Sequence, residues 1–373
     1  PLALFNGIKT PKDFMKESSI EVFEEFLNNQ EPDVIHIHTL MGLPKEFLEA
    51  AKIKKIRTVY TTHDYYGICP KISLFKENEM SNCEDFKDGL DCVECNLSAY
   101  STQKLLLAQT PFYNLLKKLK RRKTPNTQLN YNEKKINEEQ IGLEFNKLRT
   151  YYFKMLNSID YFHFNSSLTK EIFEKYLPDI KGIVIPITHA NLKSQKIYKE
   201  ESNIIRLGYL GPLKTHKGFY ELKEAYKALP EGKYALYIYG IDENELESDK
   251  GIKVKGKYKS EDLPKIFSGL DVVVIPSIWR ETFGFTLLES LAHETPVVSS
   301  ASVGSSELVK DDYGWVYNNR EELQKILMKI NFETIESKRK LIQDSFIPDI
   351  LNDHSNKLIN YLYNVSVGEY KID

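Results

Sequence analysis

The chain has 373 residues, more than one hydrophobic core normally organises, so two domains are expected. Hydrophobic residues make up 41% and charged residues 28%, ordinary proportions for a globular protein. Lys and Arg total 51 against 53 Asp and Glu; the resulting net charge of −2 gives no general affinity for nucleic acid, and no apolar run approaches membrane-spanning length.

Ile20, Val22, Phe23 and Phe26 recur at helical spacing, and Pro32-Asp-Val-Ile-His-Ile-His follows as a strand. Residues 47–53 give a short helix. Arg57-Thr-Val-Tyr-Thr-Thr is the next strand, ending in His63-Asp64-Tyr65-Tyr66. A His-Asp pair at the carboxyl end of a parallel strand sits where α/β sheets bind ligands. His36, alternating with apolar residues, reads as a hydrogen-bonded core histidine; His38, at the strand end, fits a core or a site role.

All four cysteines, Cys69, Cys83, Cys92 and Cys95, fall in the stretch 69–95, an insertion of loop residues without periodicity. Cys92 and Cys95 form a Cys-x-x-Cys knuckle. A structural zinc held by four thiolates would replace the core such a loop lacks. The spacing from Cys69 to Cys83 is no standard knuckle, and four free thiols or a disulfide remain as alternatives.

A second insertion, 105–150, opens with Leu105, Leu106, Phe112, Leu115, Leu116 and Leu119 interleaved with Lys117, Lys118, Lys120, Arg121, Arg122 and Lys123. Such a segment can lie on an anionic membrane surface, each cation contributing about 1 kcal/mol. It can equally be a helix packed on its own domain with a solvated basic end. Residues 124–139 are polar and read as a loop. A second amphipathic helix spans 143–156, and Ile159-Asp-Tyr-Phe-His-Phe-Asn-Ser-Ser is a strand whose serine caps the following helix. Ile183-Val-Ile-Pro closes the first domain, and 191–202 reads as a linker.

Ile204-Ile-Arg-Leu-Gly-Tyr-Leu-Gly211 opens the second domain, followed by a loop through Lys217-Gly218 and a helix from Tyr220. Alone this strand-loop-helix is a weak phosphate signal. Strands follow over 234–240 and from Ile252 towards Gly256 and Tyr258, and 263–270 is a short helix. Val272-Val-Val-Ile-Pro276 then suits a central strand buried on both faces. Phe285, Leu287, Leu288, Leu291 and Ala292 recur at helical spacing, and Pro296-Val-Val-Ser-Ser starts the next strand. The first turn of that helix has unpaired N–H groups and the positive end of its dipole, so Phe283-Gly284-Phe285 forms an anion site. Glu281 precedes the helix and Glu289 lies about a turn and a half inside it, leaning back towards its start. The pair would flank one bound molecule, with phosphates on the amides and hydroxyls at both ends. A nucleotide sugar has that layout; a lone glutamate pair could also be two exposed helix-end charges.

Ser277, Glu281, Phe283-Gly284, Leu288-Glu289 and Pro296-Val297 closely resemble the donor-site motif of the retaining glycosyltransferases of family four, the glycosyl transferases group 1, which have the GT-B fold. The resemblance extends from Pro32 to Tyr317. It implies an α/β chain of two Rossmann-like, doubly wound parallel-sheet domains facing a cleft. These would be an acceptor-side domain 1–190, a nucleotide-sugar domain 203–345, and a terminal helix in 346–373 that crosses back to the first domain.

By the same resemblance Glu281 contacts the donor sugar, Glu289 the nucleotide ribose and Lys217 the diphosphate, while His63 faces the sugar. Glu281, His63 and Lys217 are thus the catalytic candidates. Gly211, Gly256, Tyr258, Ser277, Phe283, Gly284 and Phe285 complete the donor site, with Gly256 and Tyr258 at the nucleobase edge. The implied reaction, in polysaccharide or glycoconjugate biosynthesis, moves a sugar from a UDP-, GDP- or ADP-sugar to a saccharide or lipid-linked acceptor with retained configuration. It needs no cofactor and no catalytic metal. The implied place is the cytoplasm, with peripheral contact to the inner face of the cell membrane as one role for the basic segment. A nucleotide-sugar epimerase or hydrolase of the same fold, or a non-catalytic nucleotide-sugar-binding protein, are the alternatives.

Four departures stand out. The family opens with a strand, a glycine-rich loop and a helix, and nothing before Ser19 reads that way, which implies a fragment lacking its first βα units. Pro212 occupies the place of a diphosphate-binding arginine, with Lys214 or His216 as substitutes. Ile187-Thr188-His189 replaces a glycine-bearing turn. Glu294 replaces the glycine ending the donor-site helix, where its charge opposes the dipole by a few tenths to about 1 kcal/mol.

Overall fold

The structure is a computed structural model that describes residues 4, 6–110, 135–192, 202–246, 249, 251–309 and 312–363. The chain divides into two compact units. Pro1–Lys76, Cys83–His163 and Phe173–Gly182 make the first; Glu77–Asn82, Phe164–Ile172 and Ile183–Asp373 make the second. Among the described residues no helix is long and apolar enough to cross a membrane.

Six short strands occur in the first half of the chain: β1 (Val34–Ile37), β2 (Arg57–Thr61), β3 (Phe75–Lys76), β4 (Ser81–Asn82), β5 (Tyr161–Phe164) and β6 (Gly182–Val184). A four-stranded sheet runs β1-β2-β5-β6, while β3 and β4 pair separately. The β1–β2 and β2–β5 pairs are parallel, with His36 opposite Val59 and Thr61 opposite His163. Helices Ile20–Gln30 and Lys45–Ile53 cover β1 through Phe23, Leu27, Phe47, Ala50 and Ala51; of the stripe expected on the first helix, Val22 and Phe26 are exposed and Leu27 takes the buried place. The helix expected over 143–156 is longer, Lys135–Asn157, and buries Phe145, Leu148, Tyr152, Met155 and Leu156. The cap expected from serine is present, since Ser166 Oγ accepts the Thr169 amide at 3.2 Å. Of the basic segment, Thr102–Ala108 is helical, with Leu105 buried and Leu106 exposed. Its cations from Lys117 to Lys123 lie outside the described residues.

The stretch 69–95 is not the structureless loop the sequence suggests. It contains β3, β4 and a short helix, Leu90–Cys95, which places Cys92 and Cys95 one turn apart. All four cysteines are free thiols. Burial pushes Cys92 up to about 11 and Cys95 to about 12, with the neighbouring Cys69 adding to both shifts, so these sulfurs are held protonated at neutral pH. Among the described residues no group of three or more His, Cys, Asp or Glu side chains could hold a metal ion, and the zinc alternative is therefore not supported.

The second unit holds β7 (Ile205–Leu210), β8 (Tyr234–Tyr239), β9 (Ile252–Val254), β10 (Val272–Ile275), β11 (Val297–Ser300) and β12 (Gly314–Tyr317). They form one sheet in the order β12-β11-β10-β7-β8-β9, with every neighbouring pair parallel. Chain order reverses between β7 and β10. That is the switch point of a doubly wound sheet, where the carboxyl ends of two adjacent strands send their loops apart and leave a crevice.

Both faces of this sheet are covered, which is why its strands read as continuous apolar runs. Ile205, Leu207, Tyr209, Val272 and Val274 face one core with Phe219, Leu222, Leu323 and Leu327. Leu210 and Val273 face the other with Phe267, Leu287 and Leu291. The two central strands are joined by a buried ion pair. Arg206 Nη2 lies 2.9 Å from Asp271 Oδ1, and Asp271 Oδ2 accepts from both the Arg206 amide at 2.8 Å and Nε at 3.0 Å. Asp271→Ala takes the carboxylate from that buried guanidinium, and breaking a buried ion pair typically costs about 3–5 kcal/mol. Both tryptophans of the chain, Trp279 and Trp315, belong to this unit. Their fluorescence in urea should therefore show a markedly lower midpoint for the variant; an unchanged midpoint would refute the role given to the pair.

Candidate donor-binding site

Two loops leave the switch point. The first follows β7: the Gly211 amide donates to Tyr239 O at 3.0 Å, and the chain then reaches a 3-10 turn, Thr215–Lys217. Gly218 ends that turn with φ +72°, and a Cβ there would come 1.6 Å from the Pro276 carbonyl oxygen. Only glycine lets the lysine loop lie this close to the end of β10. The Ile278 amide donates to His216 O at 3.0 Å, and the hydroxyl of buried Ser277 points at the same carbonyl from 3.5 Å. Ser277 thus sits under the lysine loop and supports it. The result is that Lys217 Nζ meets Glu281 Oε1 at 2.7 Å, with the ammonium 5.3 Å from the Trp279 ring centre.

The second loop is stitched along its length. The Glu281 amide donates to Ser302 O, the Gly304 amide to Glu281 O and the Ser305 amide to Phe283 O, each at 2.8 Å. Ser305 Oγ donates to Gly284 O at 3.0 Å. The Thr282 carbonyl lies 2.7 Å from Ser166 Oγ and 2.9 Å from Thr169 Oγ1, while the Asn82 amide group bonds both Ile278 O and the Arg280 amide. Sequence reading missed Asn82, Ser166 and Thr169, because each is far along the chain from the loop it holds. Gly284 then enters the helix Phe285–Ala292 with φ +97°, and no side chain caps that helix. The Leu287 amide donates to Gly284 O at 3.2 Å, which leaves the amides of Phe285 and Thr286 as those the anion-site reading calls on.

Glu289 lies on the same helix, with a side chain 15% exposed. Burial raises its carboxyl to about 7, and no opposing charge offsets that. Tyr258 is a neighbour: burial first and the Glu289 charge second push its phenol up to about 12. Gly256, two residues earlier, accepts the Gly240 amide at 2.9 Å and has open space around it. Phe283 is buried with Ile187, Leu192, Leu288 and Ala292, whereas Phe285 is 38% exposed and packs on Phe283 at 5.5 Å. A further residue not foreseen as part of the site, His189, brings Nε2 to 3.4 Å from Glu289 Oε1.

The departures also find physical explanations. His216 is lowered by burial and by Lys217 and Lys214, so it is neutral at neutral pH and supplies no second cation. Glu294 has φ +54°, so the strain of a left-handed backbone adds to the dipole penalty; its carboxylate is held by Gln343 Nε2 at 2.7 Å.

His63 belongs to the first unit. His38 Nδ1 and His63 Nε2 share a hydrogen bond of 2.9 Å with stacked rings, so the exposed His38 lies against the site candidate His63. Loss of water around His63, then the neighbouring His38, lowers its pKa. Behind them His36 Nε2 lies 2.6 Å from Thr61 Oγ1, which lies 2.9 Å from His163 Nδ1, so His36 is hydrogen-bonded as expected but half-buried, not a core residue.

At Gly284 an added Cβ would stand 2.7 Å from Val303 Cγ1 in a left-handed backbone. Gly284→Ala should destabilise the second unit by about 1–3 kcal/mol in urea unfolding. Gly256→Ala shares the positive φ but meets nothing within 4 Å, and should cost less; equal costs would show that the close approach to Val303 is unimportant.

Residues 191–344 match the family glycosyl transferases group 1. An uncharacterized 42.6 kDa protein in the cps region of Klebsiella pneumoniae is 23% identical over 293 residues, covering 77% of this chain and 62% of that protein, so the chain spans under two thirds of its length. An uncharacterized glycosyltransferase of Methanocaldococcus jannaschii is 26% identical over 283 residues, covering 65% of this chain and 68% of that one. Among solved structures, Anabaena HepE in complex with UDP is similar with a TM-score of 0.56 at 16% identity, over 91% of this chain and 81% of that one, a likeness of fold. With its two α/β sheets and its switch-point loops the chain has the GT-B fold, and its second unit carries the region that matches the glycosyl transferases group 1.

Proposed function

We propose that this chain transfers a sugar from a nucleoside diphosphate sugar to an acceptor hydroxyl with retention of anomeric configuration. The observation that carries the reading is the grouping of charges at one helix mouth. Lys217 is paired with Glu281, the amides after Gly284 are uncapped, and Glu289 is buried on the same helix. A diphosphate on the amides takes Lys217 as counter-charge, its sugar meets Glu281, and its ribose meets Glu289 beside Tyr258. The ligand of the HepE structure, UDP, makes UDP the first nucleotide to test here, ahead of GDP and ADP.

In the reaction the acceptor oxygen bonds to the anomeric carbon as the bond from that carbon to the diphosphate breaks. The acceptor proton passes to the departing phosphate oxygen on the same face, so no protein base is required. Negative charge grows on the leaving group, and preorganised N–H donors and Lys217 favour that charge without moving. These cationic groups stand where a divalent metal would otherwise act, so transfer is read as metal-independent. His63 is the first unit's catalytic candidate. A saccharide or a lipid-linked hydroxyl is the acceptor class, and the cytoplasm is the compartment.

One observation favours a second reading. Pro212 stands where a cation is expected, and His216 is neutral. A charge-assisted hydrogen bond contributes about 1.5–3 kcal/mol, so a protein lacking one could bind the nucleotide sugar and not turn it over. Glu281→Gln distinguishes the readings. In a transferase it should lower turnover of UDP-sugar on the order of 100-fold while UDP affinity changes only a few-fold. Equal turnover in variant and parent would remove Glu281 from the chemistry, and a parent that binds UDP-sugar yet leaves it intact with every acceptor would establish the binding protein. Transfer abolished by EDTA and restored by magnesium would contradict metal independence.

A further inference from the structure

His189 occupies a position for which the family pattern offers no role. The segment around it is fixed: Ile187 and Leu192 are buried against Phe283, Leu288 and Ala292, and the Leu192 amide closes a turn onto His189 O at 3.0 Å. The ring stands edge-on to Phe285, with centres 5.3 Å apart at 80°. That leaves the imidazole directed along the helix Phe285–Ala292 to Glu289, where Nε2 lies 3.4 Å from Oε1. This is an ion-pair distance without hydrogen-bond geometry, and Nε2 is buried with no hydrogen-bond partner. A small adjustment would let this buried nitrogen donate to the carboxylate beside it and so gain the partner it lacks.

We propose that His189 is a donor-positioning residue, holding one oxygen of Glu289 so that the other is turned to the ribose diol of a bound nucleotide. This rests on the reading that the site takes a nucleotide sugar. A carboxylate fixed through one oxygen presents its second as a directed acceptor, and a ribose supplies two hydroxyl donors to it. The groups facing Glu289 are His189 from the turn 187–192 and Tyr258 from the segment after β9; the phenol stays neutral at neutral pH. His189 is thus the neighbour able to donate a proton and favour the charged carboxylate.

A pH dependence follows. Burial raises the Glu289 carboxyl to about 7, and burial lowers His189 below the usual imidazole value. Above neutrality Glu289 is ionised beside a neutral, N–H-donating imidazole; as pH falls the carboxyl takes up a proton and its acceptor capacity declines. Nucleotide affinity should accordingly rise with pH across neutrality. An N–H of His189 donated to the carboxylate favours its charged form, so the midpoint of that rise should lie lower in the parent than in a variant without His189.

The experiment is calorimetric titration of UDP into the parent chain, His189→Ala and His189→Gln at pH 6, 7 and 8.5. At pH 7 His189→Ala should bind UDP about three- to ten-fold more weakly, the usual effect of one lost hydrogen bond. It should approach the parent at pH 8.5, and His189→Gln, which keeps an N–H donor, should recover most of the loss at pH 7. Identical affinities for His189→Ala and the parent at all three pH values would overturn the proposal while leaving the donor-site reading intact. If His189→Ala does not fold, His189→Leu takes its place: without an N–H donor it should show the same loss at pH 7, and parent-like affinity at all three pH values overturns the proposal. A parent chain that binds none of UDP, GDP and ADP overturns the donor-site reading itself, and this proposal with it.

Discussion

The register between β7 and β10 is the constraint on which the second unit's site depends. Lys217 and Glu281 sit on loops from different strands, and their 2.7 Å contact exists only if those strands end at the right relative height. Moving a parallel strand by one residue would also turn its apolar side chains to the opposite face. Arg206 and Asp271 pin the register from within, through a side-chain pair and through backbone bonds in both directions, since the Asp271 amide donates to Arg206 O at 2.8 Å while the Arg206 amide donates to the carboxylate. Two apolar residues of the same volume could match the pair in stability. They would not discriminate between registers, because apolar contact lacks direction.

Above that fixed sheet the charges are arranged to exchange partners. Lys217 and Glu281 neutralise one another and are 27% and 17% exposed, so each has given up part of its hydration for the other. In the function proposed above, a diphosphate arriving at the helix mouth offers the ammonium a stronger partner where helix amides favour anions, and Glu281 is released towards the hydroxyls of the ligand. The loop bearing Glu281 hardly needs to move for this exchange, because its backbone is bonded at Glu281, Thr282, Phe283 and Gly284 to residues outside it. Only the side-chain partners change, and the preorganisation that electrostatic catalysis requires is retained.

How legible this was in the sequence depends on the range of the interactions responsible. The βαβ unit from β10 to β11 could be read directly, since Val272 to Ile275 and Val297 to Ser300 are short apolar runs with proline and glycine at their ends, and the intervening helix has clean periodicity. The stretch 69–95 could not, because its order comes from distant groups such as Arg149, whose guanidinium stacks on Phe86 at 3.8 Å. Glu294 was readable as a charge at a helix end but not as a left-handed residue, since backbone strain in one carboxylate leaves no mark on composition. His189 was visible only as a departure from the expected glycine-bearing turn. What it does is set by a glutamate one hundred positions later in the chain, a relation that no local pattern encodes.

Pro212 shows how the site accommodates the loss of a cation. The residue fixes its own φ, and its carbonyl accepts the Tyr209 hydroxyl at 2.7 Å and the Lys214 amide at 2.8 Å. Tyr209 is itself buried against Phe219 with ring centres 5.2 Å apart, so the turn is anchored in the core beneath it. A long cationic side chain at this position would bring charge, but also about 2 kcal/mol of rotamer entropy to be lost when it engages a phosphate. A proline brings no charge and loses almost nothing. The anchored turn instead delivers Lys217 in one position, where Gly218 allows the backbone to lie against Pro276. On the proposed donor-site reading, affinity for an anion depends on how well Lys217 and the helix amides are held, which makes the packing beneath the loop as consequential for binding as the charges that touch the ligand.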